Sequence, residues 1–372
     1  MRRNHKNRRK GNVVVMAVFG VAVLMTVTAI VVDLGYLHNA KTELQRSADA
    51  ASLAACWELA DQFAKGEQIE TVVSETQEVA SLTGGANEVC NTMPSLPDTD
   101  VEMGYLEDFN CPEQFDTSDP SKFNAVRVTV TKSEDVNGQV RTFFARAMGI
   151  NGLDADAEST AAIVRDIRGF KTPSDGTNLD ILPFALDIET WNDMLAGGGS
   201  DSYSYDPESK TVSYGSDGIR EVNLYPQDTG SPGNRGTVDI GPSNNSTNDI
   251  ARQILYGISP DDMAAIGGSL ECPIELNGDT GISAGVKDEL ADIIGQTRII
   301  PVFSSVSGNG NNASYMITEL VGVRILDVKL TGPKKKKHLT VQPAPISTKG
   351  IIVGDESTGS TTYVYSRAFL VD

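Results

Sequence analysis

The chain has 372 residues and a formal net charge of −19 at pH 7, with 40% hydrophobic but only 6% aromatic residues. That length suggests about two domains of roughly 100–200 residues each, with cores resting on Val, Ile, Leu and Ala. The charge argues against a body that binds nucleic acid, which needs clustered Lys and Arg. Four scattered cysteines, three histidines and no Cys-x-x-Cys pair argue against a zinc centre.

The charge is unevenly spread. The first ten residues carry Arg2, Arg3, Lys6, Arg8, Arg9 and Lys10 and no acid, which leaves 25 basic against 50 acidic residues in the remainder. Residues 13–32 are twenty consecutive uncharged, mostly apolar residues. At ~1.5 Å per residue a helix of that length spans ~30 Å, the hydrocarbon thickness of a bilayer. Asp33 ends the run. The positive-inside rule then orients the chain: the six basic residues mark 1–12 as a cytoplasmic tail, 13–32 as a transmembrane helix, and everything after Asp33 as extracytoplasmic. A cleaved signal peptide is the competing reading, but its apolar core is usually only ~7–15 residues.

The helix is expected to continue beyond the membrane, because residues 33–82 contain no proline and only Gly35 and Gly66 as glycines. Ala48, Ala51, Ser52 and Ala55 fall at i, i+3, i+4 and i+7, a narrow stripe of small side chains on one face. Such a stripe lets another element approach closely. Two occupants are open: the chain's own body, or copies and partners in an assembly, in which case these four residues form a helix-packing interface and self-association is expected.

These residues carry a family likeness. Lys10-Gly11-Asn12-Val13, the apolar run, the exit Val32-Asp33-Leu34-Gly35, and Leu44-Gln45-Arg46-Ser47-Ala48-Asp49-Ala50-Ala51-Ser52-Leu53-Ala54-Ala55 resemble the TadE/TadG-like family of Flp (Tad) pilus-assembly proteins. Residues 141–164 resemble, more weakly, the end of that family's first globular unit. The resemblance implies a structural or assembly protein with no cofactor and no catalytic residues. Its partners would be pilus subunits, the Tad assembly machinery and membrane lipid, with no nucleic acid. Two departures matter. Pilins matured by a prepilin peptidase carry Glu at the fifth position from the processed residue, where this chain has Met16. The metal motif of the von Willebrand factor A domain found in many TadG-like proteins is incomplete at Asp355-Glu356-Ser357-Thr358-Gly359.

Farther along, residues 84–123 read mainly as loop, with a short strand near 101–106. Residues 125–132 and 155–165 alternate as half-buried strands, and 139–148 reads as a helix with Phe143, Phe144 and Ala147 on one face. Residues 33–165 therefore read as a pilin-like unit, a long helix laid on a small sheet. Polar residues 166–180 read as a linker. Residues 181–372 read as a β-rich extracytoplasmic domain with strands at 210–214, 219–224, 298–306, 314–329, 337–343, 350–353 and 361–370. Helices are expected at 248–256, 283–294 and from Pro260, with Ser259 as N-cap. The expected class is α+β. Cys56, Cys90, Cys111 and Cys272 allow three full pairings; if one bridge forms, Cys90–Cys111 is favoured by its loop setting, the alternative being free thiols.

Several motifs have plainer explanations. Gly308-Asn309-Gly310-Asn311-Asn312-Ala313 matches a dinucleotide fingerprint but leads into a strand pattern, so it reads as a hairpin turn. Residues 334–337, four lysines, read as a hairpin tip. Asn277-Gly278-Asp279-Thr280-Gly281 reads as a polar turn. No Gly-x-Ser-x-Gly occurs, and an enzyme is not expected. The expectation is a membrane-anchored component of a Flp/Tad-type pilus in the bacterial inner membrane, its N-terminus cytoplasmic and its body periplasmic or at the cell surface. The alternative is a membrane-tethered binding or adhesion module outside any filament.

Overall fold

The structure is a computed structural model that describes residues 12–65, 67–165, 167–225, 235–242, 246–279, 282–308, 313–333, 336–354 and 362–371. The chain forms two compact units: Met1–Cys56, Ser74–Ala162 and Leu370–Asp372 make the first, and Trp57–Val73 with Ile163–Phe369 the second. The mixed α+β class read from the sequence is the one observed.

The first unit is built on α1 (Asn12–Lys65), a helix of 54 residues. Its apolar N-terminal half is exposed on every side from Val13 to Val32, with only Ala29 half-buried. After Asp33 the same helix turns inward: Ala40, Leu44, Ser47, Ala48, Ala51, Ser52, Ala55 and Cys56 are fully buried. The expected single helix to residue 82 is instead two, because α1 stops at Lys65 and α2 (Ile69–Gly85) follows. The break coincides in sequence with Gly66, a residue type that disfavours helix interiors by ~1 kcal/mol.

The sheet of this unit holds β1 (Val101–Gly104), β2 (Ala125–Lys132) and β5 (Ala155–Ala162), with the small hairpin β3 (Val140–Arg141) and β4 (Gly152–Leu153) between the last two. Strand β2 pairs antiparallel with β5 over its whole length, from Ala125 opposite Ala162 to Lys132 opposite Ala155, and with β1 on its other side. Period-two alternation puts Ala155, Ala157, Ser159 and Ala161 on one face of β5. Ser159 bonds to Ser52 of α1, so this is the face that meets the helix. Small side chains on both partners permit a close helix-to-sheet approach.

The helix expected at 139–148 is not formed. Residues 140–141 pair with 152–153, the Thr142 hydroxyl donates to the Ile150 carbonyl, and only Ala145–Met148 makes a 3-10 turn. Long-range pairing has overridden the local helical pattern. Gly149 ends the turn at φ +87, a left-handed conformation that favours glycine.

The strands of the second unit begin with β6 (Ile167–Lys171), which lies inside the stretch expected as a linker. Then come β7 (Phe184–Asp187), α3 (Ile188–Leu195), β8 (Tyr203–Asp206), β9 (Thr211–Tyr214), β10 (Val222–Asn223), β11 (Gly236–Val238), α4 (Thr247–Tyr256), α5 (Pro260–Ala265), β12 (Ser269–Glu271) and β13 (Ile274–Asp279). After them follow α6 (Lys287–Asp292), β14 (Thr297–Ser307), β15 (Ala313–Lys329), β16 (His338–Pro343), β17 (Ile346–Thr348), β18 (Ile351–Val353), β19 (Val364–Ser366) and β20 (Phe369–Val371). Strand β20 closes the first unit's sheet beside β5, where its Leu370 and Val371 belong.

Strand β15 organises the second unit. It pairs with β13, β14 and β16, and the ring β15-β13-β11-β7-β14 closes back on β15, a barrel extended by β16 and β10. Only β14 and β7 run parallel within it. Phe303, Tyr315, Ile317, Ile299 and Val238 from its strands belong to one buried apolar cluster, and the Phe303 and Tyr315 rings meet edge to face at 5.1 Å. Asn277-Gly278-Asp279, expected as a turn, is the end of β13. The glycine is needed for close approach instead, since a Cβ on Gly278 would collide with the Thr237 carbonyl of β11. Ser259 does cap α5, in a reciprocal capping box with Asp262.

Candidate functional site

The long-range polar contacts of α1 are the best candidate for function in the first unit. They begin at Asp33, the first charged residue after the apolar run. Its carboxylate accepts from the backbone N–H of Phe143 at 2.8 Å, of Phe144 at 3.1 and 3.2 Å, and of Ala145 at 2.7 Å. Those are the amides at the start of the 3-10 turn, which has no side-chain cap of its own from Phe144. Asp33 therefore caps a turn that lies 110 residues away in sequence. Desolvation raises its pKa, the N–H groups of Ala145, Phe143 and Phe144 lower it, and the net result is a carboxyl held below its ordinary range.

One turn along α1, Tyr36 stacks edge to face on Phe143, with ring centroids 5.2 Å apart. Its hydroxyl is bonded to Cys90, which raises the phenol pKa, with burial adding to the rise. Glu43 accepts from the Cys90 backbone N–H at 2.7 Å and from Asn39 Nδ2 at 2.8 Å. Farther on, Gln45 donates to the Glu158 carbonyl at 3.1 Å and Ser47 to the Gly84 carbonyl at 3.0 Å. Ser52 and Ser159 share a hydrogen bond of 3.0 Å. The helix beyond the apolar run is thus pinned every few residues to α2, to β5 and to the turn before β4.

The small-residue stripe lies in the middle of these pins. Ala48, Ala51, Ser52 and Ala55 are all fully buried. A Cβ on Gly84 would sit 3.4 Å from the Ala51 Cβ, so α1 and α2 approach at a glycine-alanine contact. The stripe is a packing surface, but the first unit itself fills it. Of the two occupants left open by the sequence, the chain's own body makes the observed contacts: Gly84 of α2 against Ala51 and Ser159 of β5 against Ser52.

The other expected residues divide in two. Arg2, Arg3, Lys6, Arg8, Arg9 and Lys10 lie outside the described residues, as do Lys334, Lys335, the incomplete metal motif from Asp355, and the centre of the 308–313 turn. The Cys90–Cys111 bridge is not formed, and all four cysteines are free thiols. Each sulfur is engaged elsewhere: Cys90 with Tyr36, and Cys111 with the Asp108 carboxylate at 3.5 Å. Burial pushes the Cys56 thiol far above its usual pKa and the Cys272 thiol up to about 12, with Glu319 and Glu271 adding to the rise. Both are unreactive by that chemistry.

Polar clusters in the second unit link its elements. Buried Arg235 is paired with Asp187 at 2.8 Å and bonds Thr190, holding the start of α3. Glu221 is buried and accepts from the Ser200 hydroxyl at 2.9 Å and the Ser202 N–H at 2.7 Å. Asp327 joins Tyr203 at 2.9 Å and His338 at 2.5 Å, bracing the β15–β16 pair. An open cleft of about 450 Å³ lies between residues 171–174 and 348–351, and its Lys349 is ion-paired to Asp175.

The Asp33 clamp was missed in the sequence reading. Its two halves were visible separately, as the residue ending the apolar run and as the paired phenylalanines before Gly149. Only the fold joins them.

Comparison with known families bears directly on this region. Residues 11–62 match the family described as putative Flp pilus-assembly TadE/G-like, and residues 42–161 match the one described as putative Tad-like Flp pilus-assembly. The N-terminal region is therefore similar to Flp pilus-assembly families, as its motifs suggested, and the match supports a role related to Flp/Tad pilus assembly. No curated protein and no solved structure matches the chain.

Proposed function

We propose that this chain is a membrane-anchored structural or assembly component of a Flp/Tad-type pilus, a TadG-like or minor-pilin-like protein. One observation carries the reading: one helix, most of it inside the region that matches the pilus-assembly families, is apolar and exposed around its circumference up to Val32, and from Ala40 onward is buried along one face against its own body. An all-round apolar surface has no stable resting place in water and matches a bilayer core in length. The helix α1 then serves as a single-pass anchor in the bacterial inner membrane. The basic residues 2–10 keep the N-terminus cytoplasmic, and both units stand outside.

In this reading the anchor is rigidly continuous with the first unit, because no loop separates residue 32 from residue 33. Force or displacement applied to the body reaches the membrane through helix backbone and the pins at Asp33, Tyr36, Glu43 and Ser47. Pilus subunits or the assembly machinery would be met by surfaces other than the filled stripe, including the outer faces of the second unit. The missing Glu at Met16 favours an assembly factor over a processed filament subunit.

The test is electron-microscopic counting of surface filaments in a clean deletion strain and in the same strain with the gene restored. Filaments lost on deletion and regained on restoration are the expected result. An unchanged filament number in the deletion strain would overturn the assembly role and favour a tethered binding module.

A further inference from the structure

The Asp33 clamp does more than cap a turn. It fixes a short apolar segment at one height above the membrane. The amides of Phe143, Phe144 and Ala145 lie 2.7–3.2 Å from a carboxylate one residue beyond the apolar run. The turn therefore sits within about one helical turn, ~5 Å, of the end of the span. The headgroup layer on each side of the hydrocarbon core is itself about 5–7 Å thick. Anything held at that height next to a spanning helix is inside the interface.

What is held there suits that environment. Met148 is 80% exposed, Phe143 60%, Phe144 50% and Ile150 45%. Four large apolar side chains within eight residues, all open to solvent, form the kind of patch that soluble surfaces avoid. Between Gln139 and Asn151 the chain carries Arg141 and Arg146 and no acid, although acids outnumber bases 50 to 31 overall. Both arginines are exposed. Apolar residues interleaved with arginines are what an anionic lipid surface recognises, the rings and thioether entering the acyl boundary and the guanidiniums pairing with phosphate. The segment is also built to keep its shape: the β3–β4 hairpin closes it, Ile150 N–H bonds the Ala145 carbonyl at 3.1 Å, and Gly149 turns it back.

We propose that residues 143–150 are a second membrane contact, an interfacial tip that inserts Phe143, Phe144, Met148 and Ile150 into the leaflet at the Asp33 end of α1, with Arg141 and Arg146 on lipid phosphates. The proposal rests on the reading of α1 as a membrane span. Two contacts at different positions, one spanning and one dipping, resist tilting and rotation of the first unit about the anchor in a way that one helix does not. The occupant is lipid, because the patch adjoins the apolar surface of α1 and is opposite in charge to the rest of the body.

The test uses the full chain in bilayers containing anionic lipid, with Cys90→Ser and Cys111→Ser to remove the less buried thiols. A nitroxide is attached at Met148→Cys, at Val23→Cys as the mid-span reference, and at Glu208→Cys on the β8–β9 turn as the water reference. Collision rates with oxygen, which partitions into lipid, and with a water-soluble nickel chelate give the depth of each label. The expected result is a deep label at position 23, a water-exposed label at 208, and at 148 an oxygen-to-nickel ratio several-fold above that at 208. A deep label at 23 with a water-like label at 148 overturns the tip while leaving the anchor standing. Shielding of 148 from both reagents means that protein covers it, which also overturns the lipid assignment. A water-like label at 23 removes the anchor and the tip together.

Discussion

The two halves of α1 share one backbone and meet opposite surroundings. Residues 13–32 are rich in Val, nine of the twenty, and all but Ala29 are exposed, while residues 40–56 carry mostly Ala and Ser at the inward positions and are buried there. In water the hydrophobic effect would predict the reverse, large side chains inside and small ones outside. The difference teaches that side-chain size is allotted by neighbour. Bulky residues suit fluid lipid, which adapts to any shape, and small residues suit a sheet and a second helix that must come close. Asp33 stands at the changeover, and its clamp ties the end of the first half to the body.

Substitutions at matched positions in the two halves sharpen this contrast. The largest effect on folding is expected from Leu44→Ala, which deletes a fully buried side chain and costs about 3 kcal/mol through lost transfer energy and a cavity. Leu24→Ala, at a site 67% exposed, should leave the unfolding temperature of the chain in micelles unchanged. Equal losses at both sites would break the comparison. Next comes Ala51→Leu. The added bulk meets α2 at Gly84, and overpacking should cost about 2 kcal/mol, read as a lower thermal midpoint. Ser52→Ala removes one shared hydrogen bond to Ser159 and should cost about 1 kcal/mol. A larger loss at Ser52 than at Ala51 would mean that the stripe is polar glue rather than close packing.

Two aspartates, one in each unit, shift in opposite directions. Asp239 in the second unit is raised to about 6, first by burial and then by the nearby Asp249 and Asp279. Its folded pKa lies above the unfolded value, so its favourable contribution is full below about pH 4 and is lost as pH rises through about 6, worth about 1 kcal/mol after solvent screening. Asp239→Asn should flatten that slope in urea-unfolding midpoints measured between pH 4 and 7. Asp33 is shifted the other way, so its clamp is intact above the ordinary carboxylate range and weakens as pH falls through its lowered pKa. Asp33→Asn should speed hydrogen exchange at the amides of Phe143, Phe144 and Ala145 at neutral pH and leave Ser47 and Ser52 in place. Unchanged exchange at those three amides would deny the cap.

Much of this was legible in sequence wherever a local pattern carried the information. The apolar run, the alternating strand over residues 125–132, the long strands β14 and β15, and the Ser259 cap with Pro260 behind it all follow from periodicity or capping chemistry. The strands that went unread, β6, β7, β11 and β13 among them, are short pieces whose backbone is paired by the barrel rather than marked by alternation. Gly278 was misleading for a physical reason, since glycine signals a turn and a tight strand contact equally well. The same ambiguity governed the stripe: small residues announce close packing but do not name the partner, and here α2 and β5 supply it. The clamp was illegible because it joins residues more than a hundred positions apart.

The division of α1 at Asp33 is tested most directly by alkaline carbonate extraction of membranes carrying the full chain, beside Val23→Asp with Val27→Asp and beside Ala51→Leu. Each aspartate at the centre of a span costs about 3 kcal/mol. The account predicts that the unaltered chain and Ala51→Leu stay in the membrane pellet and that the double aspartate variant is released. Release of the unaltered chain, or retention of the double aspartate variant, would contradict it.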